Sequence, residues 1–435
     1  MSAIRKWFIL FIVALQGFLG PLSSSIYASC IDSIVLRRSL GASSTLINAT
    51  ISLYVFTQGI APMMWAALSE RYGRRLIYLG ATSIYVGSTI GCALSQRIGV
   101  FVVMRIFQSI GASAAQAVGA GTITDLFLVH ERGNAMGLFF LGPLIGPVVG
   151  PIAGGYINEY IGWTYIFWTL AGMGGFVLIL MLFFLPETSA LVLERCKIRR
   201  KLQERREKAV NDKRSRQQQL DTKPVVLLAS TPYALAYGFM YFVISSLPHQ
   251  LGYRYQLTSS QIGLSYLANG VGNAVGAVLS GKHADWLLRR KKQQQEEHGQ
   301  QQQLEPEIRL SAMWMGILLL PIGELIYGWC VQAHVHAAAG LTGLFILGVG
   351  VGIVQTPSNT YLVDAYNGYS ASVIGASNLL RSTFAGCTPL MAPTMLRSIG
   401  NGWSMTIFAV MSIMSGGCIY IVQMFGQRWR TLNAS

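Results

Sequence analysis

Twelve apolar stretches run through this 435-residue chain and leave little sequence outside them. A helix needs about 20 apolar residues to cross the hydrocarbon core of a bilayer, and a backbone in lipid must satisfy its own hydrogen bonds, so each stretch is read as a spanning helix. The first six fall near residues 7–28, 46–67, 76–95, 98–122, 134–157 and 163–185. The second six fall near 226–248, 261–281, 310–331, 337–360, 371–395 and 402–424. With 52% of its residues apolar and 12% charged, the chain lacks the polar surface that a water-soluble particle needs. The expected class is an all-α integral membrane protein of twelve transmembrane helices, laid out six plus six.

The gap between the two sets holds LERCKIRRKLQERREKAVNDKRSRQQQLDTK, which is too charged to enter a bilayer. The expected organisation is therefore six spans in residues 1–186, a basic linker in 187–224 and six spans in 225–435. A second polar insert, residues 293–307, separates spans eight and nine; its composition fits a solvated helix or disorder. Arg5 and Lys6 precede an apolar run of some 22 residues, longer than a signal-peptide core, so that run is kept as span one.

Lys and Arg crowd one side of this topology. Loops on the side of the amino terminus hold 26 of the 33, and the opposite loops hold five: Arg37, Arg38, Arg97, Arg254 and Arg397. By the positive-inside rule both termini are cytoplasmic. The same bias accounts for the net charge of +15 without a nucleic-acid partner, because these loops lie beside an anionic leaflet. The six cysteines show neither a disulfide framework nor zinc spacing.

The remaining two basic residues, Arg105 and Arg381, fall inside spans four and eleven. A charge at mid-bilayer costs at least about 2.5–3.5 kcal/mol on insertion scales, so each must face protein or water. Arg105, Gln108, Ala112 and Gln116 recur at helical spacing and form a polar stripe suited to lining a pore. The alternative is that Arg105 ties helices together through backbone carbonyls. Among acids, Glu324 sits inside span nine, where it either titrates, is kept neutral, or snorkels outward; Asp32 stands at the outer mouth of span one. Asp125 closes span four, roughly opposite Arg105 around the helix, which assigns the two to different networks.

Span five, GLFFLGPLIGPVVGPIAGGYI, repeats a Gly-Pro pair every four residues. Gly142, Gly146, Gly150 and Gly154 form a small-residue stripe that admits a close neighbour, while Pro143, Pro147 and Pro151 each delete a backbone donor. A helix that packs tightly yet bends is expected; a tight helix pair with no further role is the alternative.

Four local motifs together resemble the major facilitator superfamily, and within it the twelve-span drug:proton antiporter group. WAALSERYGRR (65–75) resembles the loop signature G-x-L-A-D-R-x-G-R-K, with Ala66 for the glycine and Glu70 for the aspartate. RIFQSIG resembles R-x-x-Q-G-x-G of span four, with Ser109 for the first glycine. GPVVGPIAGG, ending in Gly154 and Gly155, matches the antiporter motif of span five. GKHADWLLRR (281–290) resembles a degenerate second copy of the loop motif, as an internal duplication predicts. PLSSSIY, FLPET, PIGELIYGW and YLVDAYNGYSASVIGASNLLRS are similar to the fungal quinidine-resistance-like members.

The resemblance implies two pseudo-symmetric six-helix bundles rocking about a midplane cavity lined mainly by spans one, four, seven and ten. It implies a conformational latch of Glu70, Arg71, Gly73 and Arg74 with Asp125, and proton coupling through Arg105; the acids Glu324, which stands where that group is expected to have an apolar residue, and Asp32 are coupling candidates from the residues alone. Gln16, Gln108, Gln116, Tyr237, Tyr241, Gln355 and Asn359 are cavity candidates by their polar character in presumed lining spans. The partners implied are protons, a small-molecule substrate and the lipid bilayer, with a monomer in the plasma membrane sufficient. The expected function is export of small amphipathic organic compounds (drugs, organic cations or weak organic acids) against protons. A nutrient facilitator or proton symporter and a non-transporting sensor are the alternatives.

No enzyme chemistry, cofactor or metal is expected. GAVLSGKH fits G-x-x-x-x-G-K but ends in His283 where a phosphate loop needs Ser or Thr, and it closes an apolar span. His334 and His336 in one short loop are read as incidental, and the Asn48 sequon lies too close to the membrane for glycosylation.

Overall fold

The computed structural model describes residues 3–28, 41, 44–127, 132–187, 223–297, 306–365 and 370–431. Among them are twelve long helices. The first half comprises α1 (Ala3–Ser25), α2 (Ser44–Tyr72), α3 (Arg74–Leu94), α4 (Ile98–Leu126), α5 (Arg132–Tyr160) and α6 (Trp163–Phe184). The second comprises α7 (Lys223–Arg254), α8 (Ser259–Glu297), a 3-10 turn (Pro306–Ala312), α9 (Met313–Gln332), α10 (Ala337–Ala365), α11 (Ser370–Ser398) and α12 (Gly400–Thr431). Ten of the twelve are long and apolar enough to cross a bilayer; α5 and α11 are the other two. Large apolar side chains such as Leu318, Phe183 and Met414 point outward, as a lipid-facing surface requires.

Helix pairing in the first half recurs in the second with each number raised by six. The pairs α1–α5, α2–α4, α3–α4 and α3–α6 correspond to α7–α11, α8–α10, α9–α10 and α9–α12. The halves meet through α2 with α11 and α5 with α8, pairs that interchange under the same operation. This is the pseudo-symmetry of an internally repeated membrane bundle.

Successive helices alternate direction, so one face of the bundle carries both ends of the chain and the basic connections, and is called the basic face below. On the opposite, far face the connections described from end to end are short: residues 95–97, 161–162, 255–258, 333–336 and 399. The buried core is not distributed evenly between the faces. Residues near the far face of the first half, including Leu22, Ile26, Ile51 and Phe167, share one core with the second half. The part of the first half nearer the basic face, from Ile9 and Trp65 to Tyr78 and Val118, forms a separate core of its own. Apolar packing thus joins the halves on the far side and divides them toward the basic side.

The second loop motif departs from expectation. In the first half Gly73, at φ 95°, breaks the chain between α2 and α3, a conformation only glycine adopts without strain. GKHADWLLRR makes no such turn: α8 runs unbroken from Ser259 through it to Glu297. Without a glycine at the Gly73 position, nothing in this stretch stops the helix, which carries its Lys, Arg and Gln residues into solvent.

Candidate functional site

Arg105 lies wholly inside the first half, with no solvent exposure. Its guanidinium sits 4.4 Å from the ring centroid of Tyr27 and 4.3 Å from that of Tyr54, with Phe167 at 5.9 Å. Nη1 donates to the Ser23 carbonyl at 3.0 Å and to Gln108 Oε1 at 2.6 Å. A desolvated cation–π contact is worth about 2 kcal/mol, and a hydrogen bond from a charged donor about 1.5–3. Two of each exceed the insertion cost, so the charge is tolerated in the bundle without a carboxylate. The sequence stripe is therefore an internal network in this conformation, and Gln108 extends it by donating to Thr89 Oγ1 at 2.9 Å. Arg105 Nε and Nη2 have no hydrogen-bond partner among the described residues.

The other cavity candidates divide. Tyr237 and Tyr241 lie on α7 with Tyr233, ring to ring at 5.1 and 5.8 Å. Tyr241 OH stands 3.1 Å from Ser24 Oγ on α1, linking the halves. Gln355 and Asn359 are half-buried on α10. Gln16 is buried on α1 with both amide atoms unpartnered among the described residues, and Gln116 Oε1 is likewise unpartnered. Their spacing located them on lining helices but does not join them to the Arg105 network.

Glu324 is fully buried in the seam of α9 and α12, where the Ser412 hydroxyl reaches both carboxylate oxygens at 3.1 and 3.2 Å. Outward snorkelling is excluded. Glutamine at this position keeps the shape and the acceptor, so Glu324→Gln is expected to hold thermal stability within about 1 kcal/mol. Ser412→Ala removes the sole hydroxyl in this pairing and is expected to cost about 1–3 kcal/mol. Thermal unfolding of the two purified variants checks the contrast.

At the basic face, Arg74 joins three elements. Its Nε is 3.4 Å from Asp125 Oδ2 at the end of α4, and its Nη1 donates to Ser69 Oγ at 2.6 Å. Arg71 is exposed and folds over the Tyr72 ring at 5.6 Å. The side chain of Glu70 and all of Asp32 lie outside the described residues. A residue the motif reading passed over completes the site: Glu187, from FLPET, accepts from the backbone N–H of Arg74 at 2.9 Å and of Arg75 at 3.2 Å. These are orphan donors of the first turn of α3, so Glu187 is its N-terminal cap. A Cβ on Gly73 would come within 2.5 Å of Glu187 Oε2. Glu187→Gln is expected to lower stability by about 1 kcal/mol through loss of the charge at this helix start, read as a shift in thermal midpoint.

The second half repeats the ion pair. Arg309, just before α9, meets Asp364 at 2.6 Å, and Asp364 occupies the same place near the end of α10 that Asp125 occupies in α4.

The glycines of α5 serve two neighbours. A Cβ on Gly142 would come within 2.7 Å of Ala14 O, and one on Gly146 within 2.8 Å of Leu22 N; Gly150 and Gly154 abut Ser25 and Ile26. The stripe therefore lies against the backbone of α1, inside its own half, and Pro143 packs in the same seam beside Gly17. Pro147 follows Gly146 on the helix, and Pro151 instead faces across the halves, where its carbonyl would lie 2.5 Å from a Cβ on Gly263 of α8. Gly155 also faces α8, at the backbone of Ser259 and Ser260. Glu159 and Asn158 finish this seam by accepting from Ser260 N at 2.9 Å and donating to Ser259 Oγ at 3.2 Å.

Two repeated six-helix bundles, with ten helices long and apolar enough to cross a bilayer, define a multi-pass membrane protein. The family model of the Major Facilitator Superfamily matches residues 13–389, and the chain belongs to that family. It is 34% identical to the MFS transporter cpaT of Aspergillus oryzae over 94% of this chain and 84% of the relative. It is 31% identical to the efflux pump radE of Floropilus chiversii, covering 98% of this chain and 81% of that one. Among solved structures, the xylose transporter XylE from E. coli in a partially occluded inward-open conformation superposes with a TM-score of 0.74 at 16% identity, over 97% and 98% of the two chains. At that identity the likeness is one of fold. The protein is a transporter and not an enzyme.

Proposed function

We propose that this transporter exports small amphipathic organic compounds in exchange for protons by alternating access. The observation that carries the reading is the α5 seam, in which one helix packs on the α1 backbone with its glycine stripe and on α8 with Gly155 and the Pro151 carbonyl. A proton-coupled exchanger has to keep its far side closed to ions while the basic side is open. Backbone-to-backbone contact without intervening side chains leaves no gap for water. The efflux pump among the relatives supports the direction of transport.

In this reading Arg105 is the fixed charge of the coupling network, since arginine keeps its proton at any physiological pH. Glu324 and Asp32 are the further coupling candidates. Arg74 and Asp125, with Glu70, Arg71 and Gly73, form the latch that is made on one side of the cycle and released on the other. The cavity is lined by Gln16, Gln116, Tyr237, Tyr241, Gln355 and Asn359, the protein works as a monomer in the plasma membrane, and both termini are cytoplasmic.

Liposomes holding the purified protein and an internal pH dye, challenged with a proton gradient and a panel of lipophilic cations and weak acids, test the proposal. Proton movement driven by a compound supports it. A compound that equilibrates while no protons move replaces it with a facilitator.

A further inference from the structure

The second half holds a second intramembrane arginine, which the coupling reading does not use. Arg381 lies near the middle of α11, beside Ser382, which abuts Gly59 of α2 in the other half. Its guanidinium stacks on Tyr237 at 4.5 Å and lies 5.8 Å from the Tyr233 ring, and Nη1 is 3.2 Å from Tyr233 OH. Arg381 Nε is buried with no hydrogen-bond partner among the described residues. Unlike Arg105, the residue is only partly buried.

No described carboxylate neutralises this charge. Asp125, Glu187, Glu307 and Asp364 sit at the basic face and Glu159 at the far face, while Glu324 is held in the α9–α12 seam by Ser412. Mid-membrane charge among the described residues is therefore two arginines against one acid that is already bonded. An arginine presents a planar fork matched to carboxylate oxygens, and here it lies against Tyr237, which like Arg381 is only partly buried, while Tyr233 and Tyr241 are buried on either side of it.

Resting on the exporter reading, we propose that Arg381 with Tyr233 and Tyr237 is a binding subsite for aromatic monocarboxylates, and that the transporter selects organic anions over organic cations of the same shape. The carboxylate pairs with the Arg381 guanidinium, and the ring lies against the partly exposed Tyr237. A cation at the same place meets the uncompensated positive charge.

Equilibrium dialysis of the full chain in detergent, with 1-naphthoate and its cationic counterpart 1-naphthylmethylammonium as probes, tests this without any variant. Naphthoate is expected to bind at least tenfold more tightly than the amine. Arg381→Gln is expected to erase that preference, Arg381→Lys to keep part of it, and Tyr237→Leu to weaken naphthoate binding several-fold while the preference remains. Equal binding of the two probes to the natural protein, absence of naphthoate binding, or unchanged naphthoate binding by a folded Arg381→Gln variant overturns the subsite. The two readings fail separately. Lipophilic cations driving proton flux while naphthoate does not bind overturns the subsite and keeps the exporter; naphthoate bound and moved without proton flux supports the subsite and ends the coupling claim.

Discussion

Arg105→Gln is expected to reduce substrate-driven proton flux to the level of protein-free liposomes while the protein stays folded. Glutamine can still reach one of the two acceptors, Ser23 O or Gln108 Oε1, but it brings no charge to the ring faces of Tyr27 and Tyr54. Losing a bond to a buried acceptor costs about 1–3 kcal/mol. That loss is offset in part because the desolvation cost of the charge, at least about 2.5–3.5 kcal/mol, disappears with it. Because the two cation–π contacts, about 2 kcal/mol each, are lost as well, stability should fall by a few kcal/mol while the electrostatics of the network are abolished. Arg105→Lys sharpens the test, because it keeps the charge but lacks the planar guanidinium that lies over the Tyr27 and Tyr54 rings while Nη1 serves both acceptors, so flux about tenfold below the natural protein is expected. The pH-dye assay and thermal unfolding together decide it. Full coupling in Arg105→Gln would remove Arg105 from the coupling network and leave it as a structural tie between α1 and α4.

How much of this was legible in the sequence depends on whether the signal was local. The twelve helices were, because an apolar run of sufficient length has one viable structure in lipid. The α5 stripe was legible as a stripe, since Gly142, Gly146, Gly150 and Gly154 recur every fourth residue, but its neighbour was not: periodicity names a face without saying what covers it. Only the tertiary arrangement puts α1 there and gives α8 to Gly155.

Arg105 was found by its cost in a bilayer, whereas its cage comes from Tyr27 in the turn after α1, Tyr54 on α2 and Phe167 on α6, aromatic residues indistinguishable in sequence from ordinary core. Glu187 was passed over for the same reason, since the donors it caps lie more than a hundred residues earlier. The Arg309–Asp364 pair was within reach, because Asp364 repeats the position of Asp125 at the end of a helix of equal length. The repeat was sought instead in GKHADWLLRR, where the missing glycine lets α8 continue.

Gly155→Val should move the transporter between its states without unfolding it. The Gly155 site faces the Ser259 and Ser260 backbone of the opposite half, and in the proposed cycle this is a contact that parts when the far side opens. Overpacking at a tight seam costs about 1–3 kcal/mol, and every 1.4 kcal/mol is about tenfold in an equilibrium, so the far-open state should gain roughly ten- to a hundredfold in population. Gly263→Ala, directed at the Pro151 carbonyl in the same seam, should act in the same direction. Gly111→Ala supplies the contrast: its Cβ would lie 2.5 Å from both Ala81 O and Tyr85 N, but α3 and α4 belong to one half and stay together through the cycle. That substitution should lower thermal stability and leave the equilibrium between states alone. Labelling of Ser260→Cys by an impermeant maleimide, in a background without the native cysteines, reads the far face directly. Faster labelling in the Gly155 and Gly263 variants, with no change in Gly111→Ala, separates a seam that opens from one that only holds the fold. Unchanged labelling in all three would mean that α5 and α8 do not part on this side.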